Sequence, residues 1–191
     1  MKLPDGVKVI KGDHENIRAR INREDVVYLR KQERNLHIRF IYPQQDHTDR
    51  RYPLLMHIQG SAWREQNLND HILDFKEIVT AGYIVAIVEY LPVPMATFPS
   101  QIKDAKLAIR YIVDHAEEHH VDTENLFISG DSSGGHTALM CWATWNQGII
   151  DSSNRPLPMI QAFLDFYGVV DFLSLRDDNP SNDYAHAGTP E

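Results

Sequence analysis

The chain has 191 residues, 42% of them hydrophobic and 24% charged, with a formal net charge of −8. That length suits one domain with a core large enough to stand without disulfides or metals, and the acidic balance excludes the basic footprint of a nucleic-acid binder. The single cysteine, Cys141, excludes an internal disulfide framework and fits a reducing compartment.

No apolar signal-like segment follows Met1. The longest apolar runs, such as 84–88, are far too short to span a membrane. A cytoplasmic protein with no membrane partner is expected.

The first 24 residues are polar and weakly patterned. Val26-Val27-Tyr28-Leu29 is a short β-type run, and residues 36–42 alternate as a half-buried strand does. A turn-rich loop follows over 43–51. Leu54-Leu55-Met56-His57-Ile58 is a continuous run of the kind buried on both faces of a sheet. A helix is expected over 68–81, stopped by Gly82. Ile84-Val85-Ala86-Ile87-Val88 is the strongest strand in the chain. Ile102, Ala105, Ala108, Ile109 and Ile112 fall at helical spacing within a helix over 99–119. A strand at 126–129, a helix over 133–145 and a buried strand around 159–164 complete the pattern. Strands alternate with helices after an opening run of strands, so the class is α/β with a mainly parallel sheet flanked by helices. The whole of 1–191 reads as one domain.

The segment Gly130-Asp131-Ser132-Ser133-Gly134 contains G-x-S-x-G, with a β run before it and a helical run after it. This chemistry needs a serine on a sharp, strained strand-to-helix turn, its hydroxyl projecting from the sheet. Glycines on either side remove side chains that would collide in so tight a turn. The helix that follows aims its first N–H groups at a developing oxyanion. A glycine-rich turn cradling phosphate is the alternative. The segment lacks the Gly-Lys-Ser/Thr ending of a P-loop and the G-x-G-x-x-G of a dinucleotide fold.

A second turn, Gln59-Gly60-Ser61-Ala62-Trp63, follows the run at 54–58. Together these segments resemble the acetyl-esterase and carboxylesterase group of the α/β-hydrolases. That group carries His-Gly-Gly-Gly-Trp and then Gly-Asp-Ser-Ala-Gly-Gly. The likeness extends to Phe98-Pro99-Ser100-Gln101-Ile102-Lys103-Asp104 and spans roughly 26–171. Gln59 stands in place of histidine, and Ser61 and Ala62 in place of two glycines. The resemblance implies Ser132 as nucleophile and the amides of Ser61, Ala62 and Ser133 as the oxyanion hole. It also implies Trp63 as a wall of the substrate pocket, a position that plain packing would equally explain. No cofactor or metal is implied. The resemblance allows acetylated sugars, aryl esters, formamides or peptides as substrates, with a small-molecule ester as the leading partner. Gly60-Ser61-Ala62 is alternatively an ordinary turn after a strand.

A serine nucleophile needs a base, and the base an orienting acid, in the chain order Ser, Asp or Glu, His. The 27 residues from Asp165 to Glu191 cannot hold two more strand-helix units. The expectation is therefore a domain whose C-terminal strands, carrying acid and histidine, are missing from this chain. A compact Ser132–Asp171–His186 triad, with Asp165 as another acid, is the alternative. His136 is expected to pack structurally and His57 to be core. Asp104 is expected to brace the fold, and Asp131 to face away along the turn. The pair His119-His120 ends a helix, where cations suit the macrodipole. The leading function is a serine hydrolase of small carboxylic esters working through an acyl-enzyme. A non-catalytic or partner-dependent module of the same fold is the competing one. Oligomeric state has no signature in the sequence.

Overall fold

The computed structural model describes residues 18–21, 25–44, 50–150, 153, 155–172 and 174. His186, the tail that contains it, and most of the polar first 24 residues lie outside the described residues.

Among the described residues, seven strands form one sheet: β1 (Arg18–Ile21), β2 (Val26–Lys31), β3 (Arg34–Gln44), β4 (Tyr52–Ile58), β5 (Ile84–Val88), β6 (Val121–Asp131) and β7 (Ala162–Phe166). Their order is β1-β3-β5-β4-β6-β7, and β2 also pairs with β3. The long β3 shares one edge between two partners. Its first half pairs with β2 (Val26 opposite Ile38) and its second half with β1 (Ile21 opposite Ile41), both antiparallel. β5, β4, β6 and β7 run parallel to one another. The mainly parallel α/β sheet expected from the sequence is present.

Among the described residues, three α-helices cover the sheet: α1 (Lys76–Thr80), α2 (Ser100–Asp114) and α3 (Ser133–Ala143). β5 is buried at every position and β4 at all but one, as strands covered on both faces must be. Alternate residues feed two cores. Leu54, Met56 and Ile58 join Ile102, Ala105, Ile109, Ala138 and Cys141 beneath α2 and α3. Leu55, Val85 and Ile87 join Phe75 and Val79 beneath α1. The chain thus moves from β4 outward to β5 through α1, then back across to β6 through α2 on the opposite face. The reversal puts a topological switch point at the C-terminal ends of β4 and β6, the place where parallel α/β sheets bind ligands.

The helix expected over 68–81 is shorter than its pattern. A turn at Asn67–Asp70 precedes a 3-10 segment (Ile72–Phe75), and only then does α1 begin. Side-chain bonds explain the delay: Asn67 donates to Asp70 (2.8 Å) and accepts the Asn69 amide (3.1 Å), competing with helical bonding. His119 is not a cationic helix cap. α2 ends at Asp114, and His119 is buried, its ring stacked on Phe40 at 4.1 Å between centroids. Asp104 braces the fold, pairing with Lys31 at 2.6 Å and accepting the Leu91 amide at 3.0 Å. No helix among the described residues is long and apolar enough to cross a membrane.

Candidate active site

Ser132 joins β6 to α3 with φ 50° and ψ −121°, a conformation that costs a non-glycine residue energy and is held only by its surroundings. Those surroundings are close. The Ser132 amide donates to the Phe166 carbonyl at the end of β7 (2.9 Å), and its own carbonyl accepts the His136 amide (3.1 Å). Gly130 and Gly134 make the turn possible by close approach. A Cβ on Gly134 would lie 1.9 Å from the Ile58 carbonyl oxygen, and one on Gly130 would lie 2.2 Å from the Gly134 oxygen. The first turn of α3 therefore presses directly on the end of β4.

This contact puts the turn after β4 beside the serine. A Cβ on Gly60 would stand 2.9 Å from Ser132 Cβ. Ala62 and Trp63 both adopt left-handed backbone, at φ 53° and 57°. Glycine takes this conformation freely, so the two side chains here carry a cost.

The expected oxyanion donors separate in the structure. The Ser61 amide does not face open space; it donates to Ser133 Oγ at 2.9 Å, and the Trp63 amide reaches the same oxygen at 3.2 Å. The sequence expectation has this amide on an oxyanion; in the structure Ser133 Oγ engages it. Ser133 is alanine in the resembled esterases, and its hydroxyl supplies an acceptor that alanine lacks. The Ala62 amide makes no hydrogen bond among the described residues. The Ser133 amide opens α3 and, by position, has no intrahelical acceptor.

Four polar side chains not assigned to the site from the sequence support this turn. The Tyr90 hydroxyl meets Ser61 Oγ at 2.8 Å, and the Gln66 side chain accepts the Tyr90 amide at 2.9 Å. Burial pushes the Tyr90 phenol above its ordinary pKa, so it stays protonated. On the other face of β4, His57 Nε2 lies 3.1 Å from Asp131 Oδ1, which also accepts the Gly60 amide at 2.9 Å. Burial pushes the Asp131 carboxyl up, but the bonds from His57 and Gly60 outweigh it and hold its pKa below the ordinary value. Sequence did hold one signal. Ser129 and Asp131 alternate on β6 and so share a face, where a polar residue on the neighbouring strand could meet them.

Trp63 is half-buried. It packs against His136 (5.5 Å between centroids, edge-on) and Phe172 (5.3 Å). His136 Nδ1 bonds the Val169 carbonyl at 2.9 Å, a packing role as expected. Asp165 accepts the Gly168 amide (2.8 Å) and Asp171 the Ser174 amide (3.2 Å), so both carboxylates cap local turns. The Ser132 hydroxyl makes no hydrogen bond to a histidine among the described residues. No cluster of His, Cys, Asp and Glu suited to a metal occurs among them either. A groove of about 260 Å³ runs between α3 and β7, lined by Ala138, Leu139, Trp142, Phe163, Leu164 and Asp165.

The sequence profile of the BD-FAE family matches residues 40–189. The chain is 32% identical over 132 residues to "Probable carboxylic ester hydrolase LipM" of Mycobacterium tuberculosis, covering 65% of this chain and 30% of that protein. It is 27% identical over 130 residues to "Esterase LipQ" of the same organism, covering 67% and 31%. The chain thus spans about a third of the length of these curated relatives. Among solved structures it resembles a bacterial heroin esterase at a TM-score of 0.60 and 26% identity, over 78% of this chain and 44% of that one. A hyperthermophilic esterase from the archaeon Pyrobaculum calidifontis shares the fold, with a TM-score of 0.64 and 20% identity over 79% and 44%.

Proposed function

The chain belongs to the BD-FAE family, and from that premise we propose that it carries the nucleophile and oxyanion turn of a serine hydrolase acting on small carboxylic esters. The observation that carries this reading is Ser132, held at φ 50° between β6 and α3 with the Gly60–Ala62 turn against it. Such strain in a non-glycine residue persists where function uses it. The names of LipM and LipQ support an ester as substrate.

In this mechanism Ser132 Oγ attacks the ester carbonyl carbon while a histidine base takes its proton. The carbonyl oxygen becomes an oxyanion and accepts hydrogen bonds from the Ala62 and Ser133 amides. Ser61 keeps its amide on Ser133 Oγ and holds the turn in place. The C–O bond then breaks, and the alcohol leaves with the proton returned by the base. Water attacks the acyl-enzyme by the same route and releases the acid. Trp63 borders the acyl side. The 191 residues form part of one α/β-hydrolase domain. The acid and the base of such a site come after the nucleophile in chain order, the acid before the histidine.

Hydrolysis of p-nitrophenyl acetate and labelling by a fluorophosphonate, each in the full-length protein with and without Ser132→Ala, test the reading. The variant is expected to lose both. More than about a tenth of the activity surviving would remove Ser132 from the mechanism, since a lost nucleophile costs orders of magnitude.

A further inference from the structure

We propose that His57 is a positioning residue for the Ser132 site, acting through Asp131 on the Gly60 amide. The inference rests on the reading of Ser132 as nucleophile and names a further residue on which that site depends.

His57 is two residues upstream of the turn and never reaches its surface. Its ring is buried, and the edge of Phe75 lies 4.7 Å away, between centroids. Both ring nitrogens are engaged: Nδ1 with Ser129 Oγ at 3.0 Å and Nε2 with Asp131 Oδ1 at 3.1 Å. The parallel register sets His57 opposite Ser129, so the bonding is a product of strand pairing rather than of a loose side chain. Asp131 directly precedes Ser132, and the same Oδ1 that meets His57 accepts the Gly60 amide. A continuous path therefore runs from the α1 core through His57 and Asp131 to the first residue of the oxyanion turn.

The path is tight enough to transmit position. A Cβ on Gly60 would come within 2.5 Å of Asp131 Oδ2 and 2.6 Å of the Asp131 carbonyl oxygen. A shift of the Asp131 carboxylate thus moves either the turn or the serine. His57 limits that shift by donating Nε2–H to the carboxylate, with Ser129 fixing the ring from the other side. A charge-assisted bond of this kind is stronger than a neutral one. Substrate never touches His57; the effect on chemistry is through alignment of the Ala62 and Ser133 amides with the reacting carbonyl.

His57→Leu, His57→Gln and Asp131→Asn in the full-length protein test the proposal, with p-nitrophenyl acetate kinetics, fluorophosphonate labelling and circular dichroism. His57→Leu should fold, lower kcat about tenfold or more and leave KM within about twofold, because misplacement of donors acts on the transition state. His57→Gln, which keeps a side-chain N–H donor, should recover most of that loss. A uniform structural defect would not give this split or this rescue. If His57→Leu does not fold, Asp131→Asn decides. It keeps shape and an acceptor but loses the charge, and should lower kcat about fivefold. Wild-type kcat in a folded His57→Leu or in Asp131→Asn overturns the proposal. Wild-type protein that neither labels nor turns over ester would instead overturn the reading of Ser132.

Discussion

Ser133 Oγ accepts the Ser61 amide at 2.9 Å and so fastens the turn after β4 to the first residue of α3. Ser133 is 1% exposed, and the Trp63 amide shares the same oxygen. One hydroxyl therefore satisfies two donors of a turn whose backbone is strained at Ala62 and Trp63. The strain and the fastening belong together, since left-handed residues with side chains persist only where contacts hold them.

Ser133→Ala should accordingly lower stability by about 2 kcal/mol, the usual range for part-buried donors left without an acceptor. The Ser133 amide survives the change, so kcat should fall by less than the loss of an oxyanion donor would cost. Urea unfolding together with ester kinetics checks both. An unchanged midpoint would mean that the Ser61 and Trp63 amides find other acceptors.

Gly60→Ala should be far more harmful to activity than to folding. The added Cβ meets Asp131 and Ser132 at 2.5–2.9 Å, and the turn must lift away from Ser132. A displacement near 1 Å at a reacting centre costs about 100-fold in kcat. Gly82→Ala is the matched control. Gly82 has φ +96° but open space around it, so alanine there costs about 1 kcal/mol by backbone strain and leaves kcat alone. Equal kcat for the two variants would place the turn outside the chemistry.

His119 predicts an acid-sensitive step in stability. Burial lowers its pKa from 6.5, and the neutral ring accepts the Tyr42 hydroxyl at Nδ1 (2.8 Å). The proton then sits on Nε2, which has no partner among the described residues. The unfolded chain binds a proton near pH 6.5 while the folded one resists it. Stability from this residue is therefore full above pH 6.5. It is lost as pH falls from there toward the lowered folded value, at no more than about 1.4 kcal/mol per pH unit for one proton. His119→Phe keeps the stack on Phe40 and removes the titration. Urea midpoints from pH 7.5 to 5 should show a smaller decline in the variant, and parallel curves would refute the assignment.

The strained turn at Ser132 was legible because it is local: five consecutive residues, with the strand and helix on either side, set its geometry. β4 and β5 were legible as unbroken apolar runs. β1 was not, because Arg18-Ala19-Arg20-Ile21 carries no strong strand pattern and owes its pairing to the free half of the β3 edge. His119 was misread because its burial depends on Phe40 and Tyr42, far away in sequence. The Gly60–Ala62 turn does lie beside Ser132, yet the partner of the Ser61 amide depended on the Ser133 rotamer. The His57–Asp131–Gly60 path was hidden for a related reason. It exists only once β4 and β6 are paired in the register that sets Ile58 opposite Gly130.

β7 pairs with β6 on one side, and no second partner occurs among the described residues. Leu164 and Phe166 are partly exposed on it, and Trp142, Met159, Val170 and Phe172 expose apolar surface nearby. The groove between α3 and β7 opens onto the same region. An unpaired strand edge beside exposed apolar side chains is a template for association with other chains. The 191-residue chain, prepared by itself, should therefore form concentration-dependent oligomers or aggregates at micromolar levels. Leu164→Lys with Phe166→Lys should reduce this, because edge charges oppose strand pairing. Both positions lie on an exposed strand end, so a change in solubility need not come from a buried defect. Sedimentation velocity at several concentrations reads the outcome, with circular dichroism confirming that the doubly substituted chain stays folded. A monodisperse monomer for the unsubstituted chain would show that this edge is protected. A folded double variant that still aggregates would place the association surface elsewhere.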